Sequence, residues 1–461
     1  MKKTSYLTGL LLAASVCQAG SDQLLAAPAA RPASAKATKS TNSTTAVADV
    51  VTAATTFIAT LSTAQQSTLL QDFNTTNVAK WSNLPCGSQC RIGLQLSNLT
   101  SAQVTAALAV VQAATGTVSG DGYNEIQQIR AADDNLNANG GGSGYGSGLY
   151  FIAFLGTPST TGTWMLQFGG HHLATNITYS NGVVTGATPK FEGVEPLTFT
   201  TTNANVLATG TACAPLSNEQ STMLAMLNGL SSTQKTTAKI SGTFSDVLLG
   251  PNTVEGSSTT YPATKVGLQC SQLSSAQQDL VMAAMAPWVQ DADDATAANL
   301  LATYKAQLAS TYIGYSGTGN FTTQADYVRI DGPNVWIEFV CQNGVVYRSQ
   351  IHYHSIWRDR ARDYGGNFYT TVLGTREVSA AAVFGIYPNP TTAGNSLQLQ
   401  LMAPTTSATY TLRNLLGQTI TKTSFQGSTA AVPTAGLAPG TYLLSVDLPD
   451  QNTVTSRVQV Y

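Results

Sequence analysis

The chain has 461 residues, a formal net charge of −2 and only 10% charged side chains. That length allows two or three domains and a sizeable core. A near-neutral surface without basic clusters argues against nucleic acid or anionic membrane as a partner.

Met1-Lys2-Lys3, an apolar run from Leu7 to Val16 and Cys17-Gln18-Ala19 form a positive start, a hydrophobic stretch and a small-residue cleavage site. Residues 1–19 therefore read as a signal peptide. A lipoprotein reading of Cys17 is the weaker alternative, because branched Val16 stands where a small residue is wanted. No other stretch approaches the roughly 20 apolar residues of a membrane-spanning helix, so the mature protein is expected to have none. Residues 20–47, rich in Ala, Thr, Ser and Pro, are expected to be a flexible linker. After cleavage five cysteines remain, and oxidation outside the cytoplasm would pair Cys86 with Cys90 and Cys213 with Cys270, leaving Cys341 over.

Residues 48–382 form the expected core domain. Arg91-Ile92-Gly93-Leu94-Gln95 leads through Leu99-Thr100-Ser101-Ala102-Gln103 into a helix, and Lys265-Val266-Gly267-Leu268-Gln269 leads through Leu273-Ser274-Ser275-Ala276-Gln277 into another. Earlier helix starts stand at Leu61-Ser62 and Leu216-Ser217, with strands expected over 149–155, 163–169, 311–315 and 327–351. Two readings stand: a duplicated helix-helix-strand unit, or a common helix opener used twice. Either way the fold class is an α+β core.

The chain has four histidines, in two pairs: His171-His172 after the strand Trp164–Phe168, and His352-Tyr353-His354 within a strand. Strand alternation puts His352 and His354 on one face, a few ångströms apart. Gly169-Gly170 predicts a turn or bulge that could bring the first pair to the same centre. Imidazole suits zinc, copper and iron, so His171, His172, His352 and His354 are the candidate ligands of a transition metal ion. Glu192, Glu195, Asp359 and Asp363 are the candidate catalytic carboxylates, for coordination, orientation or proton transfer. The rival reading makes the histidines ordinary hydrogen-bonding side chains. The Gly-rich run from Asn139 to Gly148, holding Tyr145, lacks a phosphate-loop ending and reads as a loop or lid. Trp164, Trp336 and Trp357 could instead line a carbohydrate-binding face, though core burial is the commoner fate.

From Val383 onward short alternating strands are punctuated by Gly and Pro, which places a second domain at 383–461. The GGHH block within Leu149–Pro196 and the HYH, WRD and DYG blocks within Asp326–Gly365 resemble the DUF 3500 family over about Ala46 to Leu373. That resemblance stresses the histidine blocks without implying a reaction. Tyr387-Pro388-Asn389-Pro390, Leu415-Leu416-Gly417-Gln418 and Leu437-Ala438-Pro439-Gly440-Thr441-Tyr442 resemble the C-terminal sorting domain of type IX secretion substrates in the Bacteroidetes. This resemblance implies a small all-β Ig-like sandwich, the type IX secretion machinery as partner, and a place at the cell surface or beyond, facing an unknown extracellular substrate. The functional expectation is a secreted metal-dependent enzyme, hydrolase or oxidoreductase. The alternative is a non-catalytic surface binder of a metal or a polysaccharide.

Overall fold

The computed structural model describes residues 43–251, 260–368, 384–415, 417–448 and 451–461. The expected signal peptide and most of the expected linker lie outside them. Helix α1 (Ser43–Ala59) begins inside the span read as linker, and its Val47 is already buried.

The first half continues with α2 (Thr63–Leu69), β1 (Leu70–Gln71), α3 (Thr75–Val78), β2 (Leu94–Gln95), α4 (Ser101–Ala114) and α5 (Gly122–Leu136). Strands β3 (Phe151–Leu155), β4 (Thr163–Gly170), β5 (Leu173–Ser180), β6 (Val183–Gly186) and β7 (Lys190–Val194) complete it. A short hairpin, β8 (Phe199–Thr200) and β9 (Ala212–Cys213), leads to the second half. That half runs α6 (Ser217–Asn228), α7 (Ser232–Ala238), β10 (Leu268–Gln269), α8 (Ser275–Gln290), α9 (Asp294–Ala306), β11 (Tyr312–Ser316), β12 (Tyr327–Asp331), β13 (Val335–Asn343) and β14 (Ile351–Asp359).

The order along the main sheet is β1-β3-β4-β5-β7-β14-β13-β12-β11-β10, with β2 also antiparallel to β3, so that β2-β3-β4-β5-β7 and β10-β11-β12-β13-β14 run alike from the two edges to the middle. The duplication reading is therefore the right one, and β7 and β14 join the halves as an antiparallel pair. Local chemistry repeats as well. Thr100 and Ser274 each accept from the backbone N–H three residues on, while Gln103 and Gln277 reach back to the cap, closing two capping boxes. Gln103 then donates to the Thr60 carbonyl and pairs with Gln65, as Gln277 donates to the Gly229 carbonyl and pairs with Gln234. The second-half counterpart of Ser62 is thus Ser231, whose box closes on Gln234. The expected start at Leu216-Ser217 opens α6 without a side-chain cap, Leu216 being left-handed at φ 61.

Helices cover one face of the sheet, and the segments 73–92 and 240–249 lie against the other. On β14, Tyr353, Ser355 and Trp357 face the helices, where Trp288 donates to the Ser355 hydroxyl, while His352, His354 and Ile356 face the loops. On the helix side of the join, Lys190 Nζ lies 2.7 Å from Glu192 and 2.5 Å from Asp291, with Glu125 and Glu219 close by, all buried. Three of these carboxylates offer oxygens within 4.8 Å of one another. The Lys190 ammonium already supplies a cation among them. Burial and then Glu192 push the Asp291 carboxyl up to about 7.

Cys86 and Cys90 are joined, as expected. Cys213 and Cys270 are not: each is a free, buried thiol, Cys213 in the β8–β9 hairpin and Cys270 in the turn after β10, within the main core. Their neighbouring strands, β9 and β10, belong to different sheets. Trp164, Trp336 and Trp357 are fully buried, so they form no carbohydrate-binding face.

The C-terminal region is an all-β antiparallel unit of β15 (Phe384–Tyr387), β16 (Leu397–Asn414), β17 (Thr419–Val432), β18 (Gly440–Leu448) and β19 (Gln451–Val460). Leu397, Leu399 and Leu401 alternate inward and share a core with Leu412, Leu444, Val446 and Val458. Irregularities along β16 after Gln400 let its two ends pair differently, the first with β15 and the second with β18.

Candidate metal centre

Gly170 pairs with Leu173 across the β4–β5 ladder, which leaves His171 and His172 as the two central residues of a tight hairpin turn. Such turns need a left-handed residue and usually recruit Gly or Asn. Here His172 takes that place, at φ 60, a conformation costly for a side chain with a Cβ. Four backbone bonds hold it. Gly170 O accepts from Arg91, His171 O accepts from the Tyr150 hydroxyl, His172 N–H donates to Asn83 O, and His172 O accepts from Gly193 N–H.

Strand β14 supplies the other pair. His354 lies opposite Gly193 of β7, and a Cβ at Gly193 would stand 3.0 Å from the His354 ring and 3.1 Å from the His172 ring. Glycine at this register therefore lets the two imidazoles meet. Nε2 of His354 is 3.1 Å from Nε2 of His352 and 3.2 Å from Nε2 of His172. For metal–nitrogen bonds of about 2.0–2.1 Å, the edge of a tetrahedron is about 3.3 Å. Two edges of the trio thus match the spacing of ligands around one ion, and the third lies within 4.8 Å.

His354 Nδ1 lies 3.0 Å from Oδ1 of Asp246 and 3.0 Å from the Gln342 amide. A proton on Nδ1, donated to the carboxylate, leaves the Nε2 lone pair facing two other ring nitrogens at once. One lone pair cannot satisfy both, whereas an ion between the rings can. At Asp246 burial acts to raise the carboxyl pKa, but His354, the Val247 N–H and Gln342 outweigh it and hold the group below its usual value. Burial, with His354 the next cause, depresses His352 to about 3, and burial with the other three rings holds His172 well below the usual histidine range. Neutral imidazoles are the metal-binding form.

His171 stands beside the trio. Its ring stacks on His172 at 3.7 Å, its Nδ1 is 2.7 Å from Oδ1 of Asp133 on α5, and Tyr145 meets it edge-on at 4.8 Å. Tyr145 belongs to the Gly-rich run, where the Asn137 side chain donates to the carbonyls of Gly142 and Tyr145. The segment is thereby folded over His171.

Among the described residues none of the four carboxylates expected from sequence hydrogen-bonds to a histidine. Glu192 points to the helix side, because alternation on β7 gives Phe191 and Gly193 to the histidine face. Glu195 lies nearer, accepting from Val346 and Tyr347 N–H, and its charge reaches Tyr145. Asp359 is five residues from His354, about 16 Å along a strand, and binds Tyr304 and Arg362. Asp363 binds Arg358 and Tyr261. The carboxylates that do reach the rings, Asp133 and Asp246, carry no motif that marks them.

Residues 43–366 match the family described as protein of unknown function, DUF3500, and residues 385–460 match the secretion system C-terminal sorting domain. No curated protein matches the chain. The sorting domain supports export to the cell surface or beyond. Among the described residues no helix is long and apolar enough to cross a membrane.

Proposed function

We propose that this chain, which belongs to the DUF3500 family, is a secreted or cell-surface metal-dependent enzyme whose ion is held by Nε2 of His172, His352 and His354. The observation that carries the reading is the convergence of three ring nitrogens at 3.1 and 3.2 Å, with the remaining nitrogen of His354 committed to Asp246. Imidazole donors suit zinc, copper or iron, and three protein ligands are the number that leaves a position for substrate. A bound ion would supply Lewis-acid chemistry. Beside it, Asp133 orients His171, whose free nitrogen serves as proton acceptor for water or a substrate hydroxyl. Of hydrolysis and oxidation, this dyad favours hydrolysis, since a carboxylate-held imidazole moves protons. Glu195, Asp359 and Asp363 have no part in the step proposed, and Glu192 belongs to the Lys190 cluster.

The test is metal analysis of the purified chain after loading and desalting. One zinc, copper or iron per chain is expected, and His352→Asn with His354→Asn should abolish it. A wild-type chain that binds none of the three overturns the reading.

A non-catalytic metal-binding role is favoured by one observation. The four histidines are only 1–8% exposed, which leaves a substrate little room to approach an ion held between them. Azide added to the cobalt-loaded protein separates the two roles: a shifted visible spectrum indicates an open position and supports the enzyme.

A further inference from the structure

A buried arginine and a disulfide stand behind the histidine turn. Arg91 is 6% exposed, and its Nη2 is ringed by the carbonyl oxygens of Gly170 at 2.5 Å, Ser82 at 2.6 Å and Leu84 at 2.7 Å. Its Nη1 lies 3.5 Å from Cys90 Sγ and 3.6 Å from Cys86 Sγ. Burial lowers its pKa only to about 10, so it stays charged at neutral pH.

Ser82 and Leu84 flank Asn83, whose carbonyl accepts the N–H of His172. The segment from Ser82 to Arg91 thus grips the turn twice, at Gly170 O through the guanidinium and at His172 N–H through Asn83. The Cys86–Cys90 bond closes that segment immediately before Arg91 and so keeps the carbonyls of 82–84 within reach of the guanidinium. A left-handed histidine relaxes when nothing holds it, and relaxation would carry its Nε2 away from those of His352 and His354.

We propose that Arg91 and the Cys86–Cys90 disulfide are positioning elements of the metal centre, clamping His172 in its ligating conformation. The inference rests on the metal reading and adds to it that the complete site exists only in the oxidised chain. Metal loading would then be confined to compartments where the disulfide forms.

The experiment measures zinc affinity of the full chain by competition with a chelating dye, together with the visible spectrum of the cobalt form. Wild type is compared with Cys86→Ser/Cys90→Ser and with Arg91→Met. Each variant is expected to bind zinc about 10- to 100-fold more weakly, the range for outer-shell partners of a metal site, with a changed cobalt spectrum. Combining them should add little, because both release one clamp. Arg91→Lys, which keeps the charge but not the fork, should fall between and carries the test should the other variants fail to fold. Wild-type affinity and an unchanged spectrum in Arg91→Lys and the cysteine variant overturn the clamp while leaving the metal reading intact. No zinc binding by the wild type overturns both.

Discussion

With Nδ1 of His354 committed to Asp246 at 3.0 Å, the ring presents Nε2 to the centre in the form a metal needs. Asp246→Asn keeps the shape and removes the charge, so zinc affinity should fall about 10- to 100-fold, measurable by dye competition at little cost in folding. Acid acts on the same rings. A histidine depressed in the folded chain binds fewer protons there than when unfolded, so stability falls as pH drops below about 6.5. For His352 the loss continues down to about 3. His352→Asn removes that component, so the variant's metal-free stability relative to wild type should improve steadily over this window in denaturant titrations. At this scale the sequence was half legible. Four histidines in two pairs announce themselves, and strand alternation places His352 and His354 together. Asp133 and Asp246 do not, because they lie 38 and 108 residues from the rings they hold, and only tertiary packing brings them in.

Strand β7 contributes to the centre by what it lacks. A Cβ on Gly193 would meet Tyr353 O at 2.9 Å and both His rings. Gly193→Ala should therefore destabilise the chain by about 1–3 kcal/mol and weaken metal binding more than its stability loss alone explains. Thermal melts with and without zinc separate the two effects. The hairpin turn was readable from Gly169-Gly170, but the left-handed His172 was not, since its conformation is imposed by Arg91, Tyr150, Asn83 and Gly193 from outside the turn. Helix starts show the same limit. Ser62, Thr100 and Ser274 are legible as caps, whereas the Leu-Ser pair at Leu216-Ser217 does not mark the cap that joins the Gln network, which is Ser231.

Across the whole molecule, the two-fold repeated sheet places two chemistries back to back at the β7·β14 join: clustered imidazoles on the loop side and Lys190 among four carboxylates on the helix side. Removing the ammonium leaves those carboxylates buried without a cation. Lys190→Met should cost about 3–5 kcal/mol near neutral pH. Acids whose folded pKa is raised stabilise at low pH and lose that contribution as pH rises, for Asp291 through about 7. The variant's deficit should therefore shrink on acidification, and denaturation at pH 5 and pH 8 checks it. The in-register likeness of 91–103 and 265–277 hints at this symmetry; the pairing of β7 with β14 appears only in the sheet itself, because neither strand records its partner. The central claim, that one ion sits between imidazoles from the β4–β5 turn and β14, is tested most directly by X-ray absorption on the zinc-loaded full chain. The account predicts a nitrogen-rich shell with imidazole scattering at about 2.0–2.1 Å, lost in His354→Asn. A shell of oxygen donors alone, or one unchanged by that substitution, would contradict it.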